Sequence, residues 1–101
     1  MIEAEIAKKL TKAAVLEQMS EEAAELAQAA LKYARILRGE NPTPVTEREV
    51  IGHLSEEVAD VLVCMDVVME YPDTLYGVDE QVFEKKARWL DRLKGRNCRT
   101  D

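Results

Sequence analysis

The chain has 101 residues, of which 47% are apolar and 34% charged, a composition typical of one globular domain and not of a disordered segment. Its net charge of −6 argues against a nucleic-acid partner, because no sustained basic face is available to neutralise phosphates. The acidic N-terminus lacks the apolar segment of a secretory signal, and the longest apolar run, residues 61–65, is too short to cross a membrane. We therefore expect a cytoplasmic protein without a membrane partner.

The predicted secondary structure is helical throughout, because Ala, Leu, Glu and Lys dominate and no strand alternation is present. The four predicted helices cover about residues 2–10, 12–38, 47–70 and 80–94. Gly39 and the prolines at 42 and 44 end the second helix. Thr46 and Glu49 form a capping box at the start of the third helix.

The last helix is predicted to begin after an Asp79 N-cap and to end at Gly95. The fold class is therefore all-α, with one domain over residues 1–101, an ordered core at about 2–94 and a loose polar tail at 95–101. On the last helix, the periodicity predicts a buried face that is defined by Val82, Phe83, Leu90 and Leu93.

Two acidic motifs lie inside otherwise apolar helical runs. The first has the form EExxE on the second helix, and the second has the form ExxD on the third helix, preceded by one more glutamate. The residues concerned are Glu21, Glu22, Glu25, Glu56, Glu57 and Asp60. At about 100° per residue, Glu22 and Glu57 fall within the apolar stripes of their helices. Glu25 and Asp60 fall at the stripe edges, one turn further on.

Four carboxylates that converge between two helices predict a metal site, because a divalent cation relieves both their repulsion and the cost of their burial. Ligands that are all oxygen favour Mg²⁺ or Mn²⁺. A di-iron site is disfavoured, because such bundles use an ExxH motif and the single histidine, His53, precedes Glu57 by four residues. His53 is interpreted as a partly buried packing residue that lies close enough to reach the site.

The two motifs in combination resemble the MazG-like all-α nucleoside triphosphate pyrophosphohydrolases. Residues 18–26 followed by Lys32 are similar to the first metal helix of that family, and residues 55–62 are similar to the second. Residues 85–92 are similar to its C-terminal Lys/Arg helix. The resemblance covers about residues 12–94 and implies a four-helix-type bundle that a second subunit completes.

The resemblance also implies an activity, namely hydrolysis of a (d)NTP to the monophosphate and pyrophosphate, with a role in nucleotide-pool house-cleaning. The implied ligands of Mg²⁺ are Glu22, Glu25, Glu57 and Asp60. Glu21 or Glu56, on the flank of its helix, would position or deprotonate the attacking water. The implied substrate-binding residues are Lys32, Lys85, Trp89 and Arg92.

A homo-oligomer, either dimer or tetramer, is expected on two grounds. The resemblance implies it, and the apolar arc of the third helix spans roughly 160°, which is more than one neighbouring helix covers. Two alternatives stay open: a phosphoribosyl-ATP pyrophosphatase-like enzyme, and a non-catalytic or regulatory helical bundle. No motif specifies the base or the sugar of the substrate.

Overall fold

The computed structural model describes residues 1–40 and 45–99, with side chains described as far as Gly95. The helices are α1 (Ile2–Lys9), α2 (Lys12–Leu37), α3 (Glu47–Val68) and α4 (Val78–Arg99). The described part of the chain contains no strand, so the all-α prediction is confirmed. None of these helices combines the length and the apolar character that a membrane crossing requires.

The starts of α2 and α3 are fixed by threonine caps. Thr11 Oγ1 accepts a hydrogen bond from the Ala14 N–H at 3.1 Å, and Thr46 Oγ1 accepts one from the Glu49 N–H at 3.1 Å. Each bond satisfies an N–H that has no partner within the helix. The reciprocal side-chain bond of the predicted capping box, from Glu49, is not among the hydrogen bonds of the described residues.

The end of α2 lies where the sequence predicts it. Gly39 adopts a φ of 72°, a left-handed conformation that glycine reaches without strain from a Cβ atom. Its N–H donates to the Ile36 carbonyl at 3.0 Å. The two prolines expected to prevent continuation of the helix lie outside the described residues.

Helices α2 and α3 form an antiparallel pair, which is the main helix–helix contact of the protomer. At one end, the Tyr33 hydroxyl of α2 donates to Glu47 at the start of α3, at 3.2 Å. At the other end, Val15 of α2 packs with Val67 and Val68 of α3 in the buried core. The carboxylate motifs lie between these two ends.

Helix α1 closes the core at the end of α3. Ile6 and Ala7 pack against the core valines, and the hydroxyl of Tyr71 lies 3.0 Å from the Ala7 carbonyl and 2.9 Å from the Leu10 carbonyl. The Ala7 carbonyl belongs to the last turn of α1, and Leu10 is the residue that follows the helix, so neither carbonyl has a partner within the helix. The Tyr71 hydroxyl therefore links the end of α1 to the segment that follows α3.

Helix α4 differs from the prediction in both its bounds and its packing. It begins at Val78, so Asp79 lies in its first turn and is not the N-cap, and it passes through Gly95 to Arg99. The end predicted at Gly95 is wrong, because this glycine takes a helical conformation. The predicted buried face is not buried within the protomer. All described side chains from Asp79 onward are exposed, and α4 makes no substantial contact with α2 or α3.

Candidate metal centre

The four carboxylates predicted to be ligands come together between α2 and α3. One oxygen from each of them lies within 4.8 Å of the chosen oxygens of the others. Because the helices are antiparallel, Glu22 faces Asp60 across the interface and Glu25 faces Glu57. We call this group the acidic cluster; its members are Glu22, Glu25, Glu57 and Asp60.

Burial within the acidic cluster is uneven. Glu57 is only 7% exposed and Glu22 is half-buried, whereas Glu25 and Asp60 are exposed. The helix pair therefore shields Glu22 and Glu57 from solvent, whereas Glu25 and Asp60 are open to water. Such an arrangement leaves one side of a bound cation accessible to another ligand.

Two carboxylate oxygens in the cluster have no partner. Glu22 Oε2 and Glu57 Oε2 are both inaccessible to solvent and accept no hydrogen bond from the described residues. The second oxygens do have neighbours: Glu22 Oε1 accepts from Gln18 Nε2 at 2.9 Å, and Glu57 Oε1 lies 3.4 Å from His53 Nε2. Buried polar atoms without partners are costly in a folded protein, so the two orphan oxygens fit a ligand that the protein itself does not supply.

The pKa shifts within the acidic cluster also favour a bound cation. Burial raises the pKa of Glu22, and the facing Asp60 and the neighbouring Glu25 raise it further. Burial also raises the pKa of Glu57, with Glu25 and then Asp60 adding to the effect, while His53 lowers it. Both shifts mean that the ionised cluster is unfavourable without a compensating positive charge.

Compensating charge from the protein is scarce. Among the described residues, the His53–Glu57 contact is the single ion pair, and it requires a protonated imidazole. His53 is 52% exposed in its side chain, so the interpretation of a partly buried packing histidine is wrong. Its imidazole instead lies at the open edge of the cluster.

Glu21 and Glu56, proposed to act on the water, are exposed and lie outside the acidic cluster. Each precedes an inner ligand by one residue, so the helical rotation of about 100° turns its side chain to the flank, as predicted. Lys32 lines a cavity of about 150 Å³ together with His53, which brings this cation to the neighbourhood of the cluster.

The remaining predicted substrate contacts are not brought to the cluster within one protomer. Lys85, Trp89 and Arg92 line a depression on α4 that is formed by α4 residues alone. Since α4 does not pack on the helices that carry the cluster, a single chain does not join these side chains to the carboxylates.

Two neighbours of the site were not assigned to it from the sequence. Gln18 precedes Glu22 by four residues, the spacing that places two side chains on one helix face, and that spacing was the available signal. Cys64 follows Asp60 by four residues and is buried. Burial raises the pKa of its thiol, and Glu22 and Asp60 raise it further, so a neutral thiol lies behind the cluster.

A scan against models of known protein families found no match, and searches of curated proteins and of solved structures found no significant match.

Proposed function

We propose that this protein is a Mg²⁺-dependent nucleoside triphosphate pyrophosphohydrolase, with Mn²⁺ as an alternative metal. The observation that carries the proposal is the acidic cluster, in which four carboxylates converge and two buried oxygens have no hydrogen-bond partner. The proposal has two parts: a divalent cation binds the cluster, and the bound cation serves triphosphate hydrolysis.

The first part follows from the donor set. Four carboxylate oxygens are hard ligands of the kind that Mg²⁺ and Mn²⁺ prefer, and the clustered residues include neither a thiolate nor an imidazole that would compete for the cation. The buried oxygens of Glu22 and Glu57 would bind the cation from the inner side. Glu25 and Asp60 would bind it from the solvent side.

The second part draws on the openness of the site and on the family resemblance. Mg²⁺ commonly shares its coordination between carboxylates and substrate phosphates, and the exposed outer edge of the cluster leaves room for such a substrate. When bound, the metal supplies charge neutralisation for the triphosphate and orientation of the attacking water. The resemblance to the MazG-like enzymes supports cleavage between the α- and β-phosphates.

The chain's own groups take the other roles. Glu21 and Glu56 are exposed beside the inner ligands and retain carboxylates outside the cluster, so either one can accept the proton of the attacking water. Lys32 would bind the anionic tail of the substrate at the edge where His53 lies. Lys85, Trp89 and Arg92 would add contacts to the nucleotide once α4 is brought to a cluster.

The test is steady-state pyrophosphate release from a panel of (d)NTPs with Mg²⁺, compared among the wild type and single variants. Asp60→Asn should lower turnover at least about a hundredfold, because it removes a charge from the metal's ligands. Glu17→Gln is the matched control, since Glu17 is an exposed carboxylate of α2 outside the cluster, and it should retain wild-type turnover. Equal turnover in Asp60→Asn and the wild type would show that the acidic cluster takes no part in catalysis.

A further inference from the structure

The two carboxylate oxygens of Glu57 have different surroundings. Oε2 is inaccessible to solvent and accepts no hydrogen bond from the described residues, whereas Oε1 lies 3.4 Å from His53 Nε2 at the open edge of the acidic cluster. Each oxygen of an ionised carboxylate has lone pairs of its own and can therefore bind its own partner. A cation that binds Oε2 within the acidic cluster would leave Oε1 available for a second ion.

The contact between His53 and Glu57 is long for an ion pair. Its 3.4 Å exceeds the roughly 2.7–2.9 Å of a charge-assisted hydrogen bond. The same separation suits two ligands of one cation, because two donors at about 2.1 Å from a metal lie about 3.0 Å apart at a right angle and about 3.4 Å apart at the tetrahedral angle. The two residues are also four apart on one helix, the spacing at which an HExxH motif directs two side chains to one metal.

The charge of the acidic cluster exceeds what one divalent cation compensates. One such ion balances two of the four negative charges, and two remain among carboxylates whose oxygens lie within 4.8 Å of one another. Among the described residues, His53 makes the single ion pair with this group, and only when its imidazole is protonated. A second divalent cation at Glu57 Oε1 would balance the charge that remains.

A cavity beside His53 provides space for such an ion. Its volume is about 150 Å³, and its lining consists of Lys32, Val45, Glu49, Val50 and His53. Because one water molecule takes about 30 Å³ in the liquid, this volume admits a cation together with several of its waters. Lys32 and Glu49 carry opposite charges, so the lining has no net charge that would repel a cation when His53 is neutral.

We propose that His53 Nε2 and Glu57 Oε1 form a second divalent-cation site beside the acidic cluster, with Glu57 as the ligand that the two ions share. Two protein ligands suffice, because such ions commonly complete their coordination with waters and substrate phosphates. The nitrogen donor sets the chemistry of this site: imidazole is a ligand of transition-metal ions, whereas Mg²⁺ prefers oxygen. The second site therefore takes a transition-metal ion such as Mn²⁺ in preference to Mg²⁺. The inference rests on the first part of the proposed function, cation binding by the acidic cluster, and not on the reaction.

The experiment detects the imidazole nitrogen on bound Mn²⁺ directly. His53 is the single histidine of the chain, so in protein without an affinity tag an imidazole on the metal must belong to this residue. Mg²⁺ is added in excess to occupy the acidic cluster, followed by less than one equivalent of Mn²⁺. Electron spin-echo envelope modulation should then show coupling of Mn²⁺ to ¹⁴N. The ¹⁴N coupling should disappear in protein labelled with ¹⁵N-histidine and in His53→Ala.

Equilibrium dialysis against Mn²⁺ in the absence of Mg²⁺ counts the sites. The wild type should bind two Mn²⁺ per chain at saturation, and His53→Ala should bind one, because the acidic cluster is intact in this variant. Glu17→Gln is the matched control, since it removes an exposed carboxylate outside both the cluster and the cavity; it should bind two ions and keep the ¹⁴N coupling. Circular dichroism checks that His53→Ala keeps its helices, as expected for a side chain that is 52% exposed.

Three outcomes would overturn the inference. Mn²⁺ binding without ¹⁴N coupling, or with coupling that persists in His53→Ala, would show that His53 is not a ligand and would leave the proposed function intact. One Mn²⁺ per chain with the coupling would mean that His53 binds the cation of the acidic cluster and that no second site exists. No Mn²⁺ binding at all would contradict the inference and the proposed function together.

Discussion

Replacement of Glu57 by glutamine isolates the charge at the centre of the acidic cluster. Glu57 is the most buried member, and Gln keeps its size while it removes one of the four negative charges. Without metal, the wild-type cluster bears an uncompensated repulsion between carboxylates that lie within 4.8 Å. In EDTA the Glu57→Gln variant should therefore melt at the same temperature as the wild type or at a higher one.

Mg²⁺ should reverse the order of the two melting temperatures, so that the wild type melts above Glu57→Gln. A ligand that binds only the folded state stabilises it by about 2.7 kcal/mol at one hundred times its Kd, and this corresponds to roughly 10–20 °C in Tm for a domain of this size. The wild type should show a shift of that order at saturating Mg²⁺. Glu57→Gln should shift by less than about 3 °C at the same concentration, because the buried charged ligand is lost.

The assay is a thermal melt followed by circular dichroism at fixed protein concentration, in EDTA and in a Mg²⁺ series, with Glu17→Gln as the control that keeps the full shift. The prediction concerns the change of sign between the two conditions, so a general loss of stability does not imitate it. Equal Mg²⁺ shifts in the wild type and in Glu57→Gln would refute the assignment of Glu57 as a ligand. A Tm for Glu57→Gln below that of the wild type in EDTA would refute the proposal that repulsion between the carboxylates destabilises the metal-free protein.

Three further predictions address pH, the core and the basic side chains of α4. Because burial and the neighbouring carboxylates raise the pKa of Glu57 above its ordinary value of 4.5, this group destabilises the metal-free protein less once the pH falls below the raised pKa. Protons also compete with the cation, so the Mg²⁺ shift in Tm should shrink as the pH is lowered from neutrality towards the raised pKa. Tyr71→Phe removes the hydroxyl that binds the α1 carbonyls and should cost about 1 kcal/mol, or roughly 4–8 °C in a melt; an unchanged Tm would mean that α1 is held by its apolar contacts alone. Lys85→Ala and Arg92→Ala should raise KM and lower kcat while Tm changes by only a few degrees, with Arg88→Ala close to silent; equal, small effects from all three would indicate a solvated surface.

The placement of the acidic cluster was predictable from the sequence because helical rotation fixes it. Glu57 falls inside the apolar stripe of its helix, and the structure buries it to 7% exposure. The end of α2 was predictable for a similar local reason, since Gly39 supplies the left-handed conformation that ends the helix. In both cases the feature that the sequence predicts is local: the face of its own helix on which each carboxylate lies, and the conformation of one glycine at a helix end.

Helix α4 was not predictable in the same way. A glycine inside a helix costs only about 1 kcal/mol relative to alanine, so Gly95 permits a helix to continue unless its conformation turns left-handed. The apolar periodicity of Val82, Leu90 and Leu93 predicted a buried face, but periodicity does not say which surface covers that face. In the protomer the face is exposed, and its covering surface depends on contacts that a single sequence does not encode locally.

The exposure of His53 was not predictable from the sequence either. The helical spacing of four residues places the two side chains together, but spacing alone does not distinguish a packed imidazole from an exposed one. In the structure, the His53 imidazole lies 3.4 Å from Glu57 Oε1, at the open edge of the acidic cluster. Burial patterns therefore predicted the inner ligands better than the groups around them.

We propose that the acidic cluster binds a divalent cation that serves cleavage of a nucleoside triphosphate between its α- and β-phosphates. This reaction is tested by ³¹P NMR of the products formed from a panel of canonical and modified (d)NTPs with the purified protein and Mg²⁺. We expect pyrophosphate and the nucleoside monophosphate from at least one substrate, with no product in EDTA. Three results would contradict this proposal: release of orthophosphate and the nucleoside diphosphate, formation of the same products in EDTA, or no turnover of any triphosphate while Mg²⁺ is bound.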